Sequence, residues 1–358
     1  MGIYDDAPRI VIWEMTRACA LACVHCRAKA IPRRDPRELS TAEAFELIDD
    51  VVALGGPIFI LTGGDPFMRP DLFEIVAYAA KRNLRVAVSP SGTARLTPGA
   101  LEKLAAAGCE RMSLSIDGPD AATHDAFRGV NGAFERTIAA AGHARAAGIG
   151  LQINTTIARH NHTRINDIAA LVGRVDAAVW SAFFLVPTGR AQVADCLDAD
   201  GFEAAFADLY AVWLRAPFMV TTTEAPHFRR FVTQHLSAMP LAERPQKADH
   251  FRFPAIGDGK GFVFVSHTGD ICPSGFLPIV AGNVRQEELL DVYRNDPAFI
   301  RLRDPDRTEG KCGKCDYRFM CGGSRARAYG FSGDPFGSEP CCSYQSPEYL
   351  ASLESVPA

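Results

Sequence analysis

Three thiols fall within eight residues, Cys19, Cys23 and Cys26 in CALACVHC, just after an apolar run at Ile10–Trp13 that reads as a strand. Few structures use such a group. The chain has 11 cysteines in 358 residues, and disulfides are rare inside cells, so clustered cysteines point to metal or redox chemistry. A second group follows at 312, 315, 321, 341 and 342, while Cys109 and Cys196 read as ordinary thiols. A structural zinc takes four protein ligands and a catalytic zinc three with one open position. His25 could serve as a fourth ligand by composition, but between Cys23 and Cys26 its geometry is awkward. An iron–sulfur cube held by three thiolates leaves one iron open to a small chelating molecule.

Length and composition set the frame. The chain suits one large domain plus a smaller one, and 47% hydrophobic residues allow a sizeable core. A net charge of −4 gives no electrostatic footprint for nucleic acid. MGIYDDAPRI has acids and a proline where a secretion signal has basic and apolar residues. No apolar run approaches the roughly 20 residues of a membrane span. These features predict a cytoplasmic protein without nucleic-acid or membrane partners.

From Ile10 to about residue 186, short apolar runs alternate with helical periodicity. Strands are predicted at Ile10–Trp13, Ile58–Leu61, Arg85–Ser89, Arg111–Ser115, Gly150–Thr156 and Val179–Phe184. Helices are predicted at Ser40–Leu54, Asp71–Arg82, Thr97–Ala107, Ala133–Ala147 and Asp200–Leu214. The alternation predicts an α/β fold with a parallel sheet, as a partial (β/α)6 barrel, with its chemistry at the C-terminal strand ends. A polar linker containing MPLAERPQ precedes KGFVFVSHTGDICPSG, which reads as a hairpin turning at His267–Asp270. The ranges are 1–220 for the barrel, 221–255 for a linker and 256–358 for a cysteine-rich domain, a segment of the kind that needs a metal or disulfide staple.

The CxxxCxxC spacing after a first strand resembles the radical S-adenosylmethionine superfamily. TGGDP (Thr62–Pro66) looks like the family's turn that meets the methionine amino group, which implies cofactor contacts for Gly63, Gly64, Asp65 and Pro66. SPSG offers Ser91, SLSIDG offers Ser115 and Asp117, and QINTT offers Asn154. His25 takes the place that packs near adenine, and Arg128 of AFRG is a candidate for the cofactor carboxylate. His124 reads as a surface or capping residue. The resemblance implies S-adenosylmethionine on the open iron of a 4Fe–4S cluster held by Cys19, Cys23 and Cys26. One electron, drawn from a reduced flavodoxin- or ferredoxin-type donor, then cleaves the sulfonium to methionine and a 5′-deoxyadenosyl radical that removes a substrate hydrogen.

CGKCDYRFMCGGSRARAYGFSGDPFGSEPCC is similar to the SPASM/twitch extension of these enzymes. That implies an auxiliary 4Fe–4S cluster on Cys312, Cys315, Cys321 and Cys342, with Cys341 as the fallback; a zinc ribbon is the other occupant of this pattern. Ser274 and Ser324 stand where two-cluster relatives have cysteines, so one auxiliary cluster is expected. Cys272 is left as a spare thiol, a ligand or a catalytic residue.

The whole chain resembles two branches: tetrapyrrole-modifying enzymes of the alternative haem and haem d1 routes, and maturases of ribosomal peptides, including mycofactocin-type decarboxylases. A first strand at residue 10 argues against a leader-binding module. Apolar walls and few charges at the strand ends predict a dry chamber. Glu224, His227, Arg229 and Arg230 in TTTEAPHFRR are candidates for gripping a carboxylate, or form a solvated bridging helix. The reading is an oxidative enzyme, of decarboxylation or desaturation type, acting on a carboxylate-bearing small molecule or tetrapyrrole. Peptide maturation and a non-catalytic metal-binding module are the alternatives.

Overall fold

The computed structural model describes residues 4–248 and 256–354; the parts of the predicted ranges at 1–3, 249–255 and 355–358 lie outside them. Ten strands form one sheet, of which eight run parallel and follow the order set by their crossovers. The barrel units are β1 (Ile10–Glu14), α1 (Thr41–Ala53), β2 (Ile58–Thr62), α2 (Leu72–Lys81), β3 (Arg85–Val88), α3 (Pro98–Ala106) and β4 (Cys109–Ser115). They continue with α4 (Ala121–Arg128), α5 (Ala133–Ala146), β5 (Gly150–Ile157), α6 (Ile165–Arg174), β6 (Val179–Phe184), α7 (Ala199–Arg215), β7 (Met219–Thr223) and α8 (Phe228–Ser237). The C-terminal part holds β8 (Phe262–Val265), β9 (Asp270–Cys272), β10 (Gly282–Asn283), α9 (Leu289–Asn295) and α10 (Pro297–Arg303). Short α11 (Gly310–Gly313), α12 (Arg325–Ser332) and α13 (Pro347–Glu354) follow.

The sheet runs β10-β9-β8-β1-β2-β3-β4-β5-β6-β7. The partial α/β barrel is as predicted, but its sheet exceeds six strands. β7 extends it in parallel beside β6. The predicted hairpin is present as β8 and β9, and β8 pairs in parallel with β1, Val263 opposite Val11. The C-terminal segment thereby borrows the barrel's own edge, covering backbone donors that β1 would otherwise expose.

Local chemistry sets the helix starts. Ser40 and Glu43 form a reciprocal capping box on α1, and Thr97 caps α3 ahead of Pro98. Strand parity then sorts the faces. In β5 Leu151, Ile153, Thr155 and Ile157 are buried, and Gln152, Asn154 and Thr156 alternate with them on the half-buried face. Phe59 and Leu61 of β2 are fully buried in the same way, leaving Thr62 at the strand end on the other face. Trp13 and Phe59 stack at 6.5 Å, and the Arg69 guanidinium lies over Trp13 at 5.3 Å. Arg69 is itself buried because it donates to the carbonyls of Met15 and Leu39, at 3.0 and 2.9 Å, and pairs with Asp71. It fixes the strand end from which the cysteine loop departs.

Candidate functional site

The cysteine loop closes at its neck, where Cys19 donates to the Ile31 carbonyl and Ile31 to that of Arg17, both at 2.9 Å. Beneath it runs the Gly63–Gly64 turn. A Cβ at Gly63, whose φ is 155°, would sit 2.3 Å from the Thr16 carbonyl, and one at Gly64 would sit 2.4 Å from that of Ala18. Gly64 and Asp65 donate to those two carbonyls at 2.7 and 2.8 Å. Glycine is required here because backbone meets backbone, which holds the thiols over the ends of β2 and β3.

The sulfurs already accept hydrogen bonds. Leu21 donates to Cys19 Sγ at 3.3 Å, Ala30 to Cys26 Sγ at 3.4 Å, and Arg128 Nη1 to Cys23 Sγ at 3.7 Å. Burial pushes the Cys19 thiol up, so it ionises when a metal supplies compensating charge. Three thiols with N–H donors fit an iron–sulfur cluster. Among the described residues no three His, Cys, Asp or Glu side chains converge on a single ion position.

Cys19, Cys23 and Cys26 face a cavity with about 950 Å³ of open space. His25, Gly63, Gly64, Ser91, Ser115, Arg128 and Asn154 line it too, together with Thr156, Phe183, Phe276 and Arg190. Ser115 and Asn154 are register partners on β4 and β5. Ser91 donates to the Gly64 carbonyl at 2.7 Å and lies 3.3 Å from Cys19 Sγ. His25 stacks on Phe127 at 3.8 Å, and Phe127 on His160 at 3.8 Å. Burial pushes the His25 imidazole down to about 3, with Arg128 adding to the effect, so the ring is neutral.

Asp65, Pro66 and Asp117 lie behind the cavity wall. Asp65 accepts from Phe67 N at 3.1 Å and Thr93 Oγ1 at 3.0 Å, tying the ends of β2 and β3 together. Asp117, fully buried, forms an ion pair with Arg128 and accepts from Thr156 N at 2.7 Å. Burial raises its carboxyl, but Arg128, His25, His124 and the Thr156 N–H together outweigh that and leave it below its ordinary value. His124 is not at the surface as expected: it is buried, and its Nδ1 accepts from Asp117 N at 3.1 Å. Cys272 is buried on β9 with its thiol pushed up to about 12, and it does not line the cavity. The expected scarcity of charge is corrected by three arginines, Arg27, Arg128 and Arg190, that face the cavity.

A second cavity, with about 370 Å³ of open space, is lined by Cys312, Cys315, Cys321 and Cys342 with His227, Arg230 and Lys311. Cys342 faces it and Cys341 does not. Glu339 donates to Cys312 Sγ at 3.2 Å, Tyr317 to Cys315 Sγ and Gly323 to Cys321 Sγ, both at 3.4 Å. Gly323 has φ 70°, and a Cβ there would lie 3.2 Å from Cys312 Sγ. The donor set suits a four-thiolate cluster.

The TTTEAPHFRR candidates do not grip anything in the first cavity. Glu224 follows β7 and is half-buried against Ser324 and Arg327; Arg230 pairs with Glu203; His227 is buried beside Phe202 and Phe206. The segment is a packed helix start instead of a solvated bridge. Ser324 caps α12, and Ser274 Oγ accepts from Phe276 and Leu277 at 3.2 and 3.1 Å. Arg190 and Arg27 escaped attention in the sequence. The signal available was PTGRA at the end of β6, where polar residues at C-terminal strand ends carry function.

Residues 13–172 match the Radical SAM superfamily. Over 349 residues the chain is 43% identical to the AdoMet-dependent heme synthase of Nitratidesulfovibrio vulgaris, covering 95% of this chain and 94% of that protein. It is 34% identical to the Mycofactocin maturase MftC of Mycobacterium ulcerans, covering 94% and 88% respectively. The crystal structure of Streptococcus suis SuiB bound to precursor peptide SuiA matches with a TM-score of 0.73 at 17% identity, over 95% of this chain and 76% of that one, which shows a shared fold.

Proposed function

Because the chain belongs to the radical SAM superfamily and is an enzyme that uses S-adenosylmethionine and a 4Fe–4S cluster, we propose that it oxidatively decarboxylates a carboxylate-bearing tetrapyrrole. The observation that carries this is the near full-length 43% identity to an AdoMet-dependent heme synthase. Cluster and S-adenosylmethionine, when bound, would supply the radical that removes one substrate hydrogen. Cys19, Cys23 and Cys26 would hold the cluster, and the Gly63–Gly64 turn would present backbone to the methionine moiety. The neutral His25, stacked on Phe127, offers a flat face beside adenine. Phe183, Leu185, Val186 and Phe276 form an apolar wall, while Ser115, Asn154 and Thr156 form a polar row. A wide, half-apolar cavity of this kind suits a macrocycle with carboxylate arms. Cys312, Cys315, Cys321 and Cys342 would hold the auxiliary cluster, which would supply an acceptor for the electron released on oxidation.

The test is anaerobic reconstitution with iron and sulfide, followed by reductant, S-adenosylmethionine and an iron porphyrin with propionate side chains. We expect porphyrin-dependent 5′-deoxyadenosine and loss of carbon dioxide from the porphyrin. Turnover of S-adenosylmethionine with the porphyrin left intact would overturn the assignment. The same assay with a precursor peptide addresses the maturase reading, which the 34% identity to MftC supports.

A further inference from the structure

Three arginines face the cavity beside the cysteine loop, and two are already neutralised. Arg27 Nη2 meets Glu14 Oε2 at 2.5 Å, and Arg128 is paired with the buried Asp117. Arg190 differs. Its Nε and Nη2 are shielded from water and make no hydrogen bond, although the residue lines the cavity. A guanidinium stays charged at all accessible pH values, and a buried N–H without an acceptor costs stability. Two adjacent unfilled N–H donors on a planar fork match a carboxylate presented edge-on, once the flexible side chain turns them into the cavity that the residue lines.

The backbone places that fork firmly. Arg190 N donates to the Cys26 carbonyl at 3.0 Å. Gly189, with φ 66°, lies so close to the cysteine loop that a Cβ would sit 2.3 Å from the Arg27 carbonyl. On the other side Pro187 touches α12, where a Cβ on Gly330 would lie 2.9 Å from Pro187 Cγ. The Val186–Arg190 turn is therefore gripped by the cysteine loop and by the C-terminal helix together.

We infer that Arg190 holds a carboxylate of the substrate, fixing a carboxylate arm of the tetrapyrrole within the cavity next to the Cys26 end of the loop. This rests on the tetrapyrrole reading above. The competing occupant is the cofactor's own carboxylate. Topology favours the substrate: Arg190 follows β6, whereas the turn expected to meet the methionine moiety follows β2, with β3, β4 and β5 between them. The wall beside Arg190 is also the apolar one, Phe183, Leu185, Val186 and Phe276.

The test is an absorbance titration of the anaerobically reconstituted holoenzyme with an iron porphyrin bearing free propionates, and with its fully esterified counterpart. S-Adenosylmethionine binding is measured in parallel by equilibrium dialysis. Losing a bidentate charged contact should weaken binding of the free acid to R190Q about 10–100-fold. Binding of the ester and of S-adenosylmethionine should stay within about twofold, and R190K should recover part of the loss. R190Q binding the acid as tightly as the native protein would overturn the assignment, as would native protein that does not prefer the acid. Equal loss of S-adenosylmethionine binding would hand Arg190 to the cofactor and also overturn it. Native protein that binds neither porphyrin would remove the tetrapyrrole reading itself, and this assignment with it.

Discussion

Arg128 and Asp117 form a buried ion pair that joins the end of α4 to the end of β4 and leaves Arg128 Nη1 3.7 Å from Cys23 Sγ. A carboxylate behind the cavity thus orients a guanidinium against a metal-ligand candidate, as supporting residues do around metal sites. D117N keeps the shape but strands the Arg128 charge in a buried site. We expect a loss of roughly 3–5 kcal/mol in stability, the usual consequence of removing one partner of such a pair. Denaturant unfolding under anaerobic conditions measures it, and an unchanged midpoint would contradict the role.

The two neighbouring cysteines near the C-terminus should behave oppositely. Cys342 faces the second cavity, while Cys341 is 2% exposed and turned away from it. C342S should lower the iron of reconstituted protein by about half, since one of two clusters loses a ligand. C341S should keep its iron. Iron analysis together with electron paramagnetic resonance distinguishes them, and the reverse pattern would reassign the ligand.

Gly64→Ala tests the turn beneath the cysteine loop. The new Cβ would meet the Ala18 carbonyl at 2.4 Å and that of Arg17 at 2.6 Å, so one backbone segment must shift. A cost of about 1–3 kcal/mol is expected from the forced shift. The variant should also retain less iron at the N-terminal site than at the C-terminal one, read from the two resonance signals.

Glu224 gives a pH dependence. Burial pushes its carboxyl well above the ordinary value of 4.5, and Asp258 adds to that, while Ser324 and Arg327 oppose it. The unfolded chain loses this proton near the ordinary value and the folded protein at higher pH, so folding retains a proton between the two. The contribution of Glu224 is therefore most favourable below about pH 4.5 and declines as pH rises through neutrality. E224Q mimics the neutral acid and should gain stability over the native protein as pH rises from about 5 to about 8. Denaturation midpoints at the two ends measure the difference, and parallel curves would exclude the effect.

How far the sequence reached depends on the range of the force involved. The six predicted strands and the starts of α1 and α3 rest on periodicity and caps within a few residues, and they are where they were expected. β7 was missed because MVTTT is half-polar, and only its pairing with β6 makes it a strand. The partner of β8 was hidden because Val263 and Val11 are joined by a hydrogen-bond ladder across most of the chain length.

The site divides in the same way. Cysteine spacing and the glycine turn are one-dimensional patterns, so the sequence alone determined that three closely spaced thiols and a Gly-Gly turn stand at the ends of the first two strands. It could not place Glu224 or Arg230 in the C-terminal interior, because their surroundings come from α7 and α12, distant in the chain. Nor could it single out Arg190 from the other arginines. Only the tertiary structure decides which guanidinium has a carboxylate beside it, because a charge is satisfied by what lies within a few ångströms in space, whatever its distance along the chain.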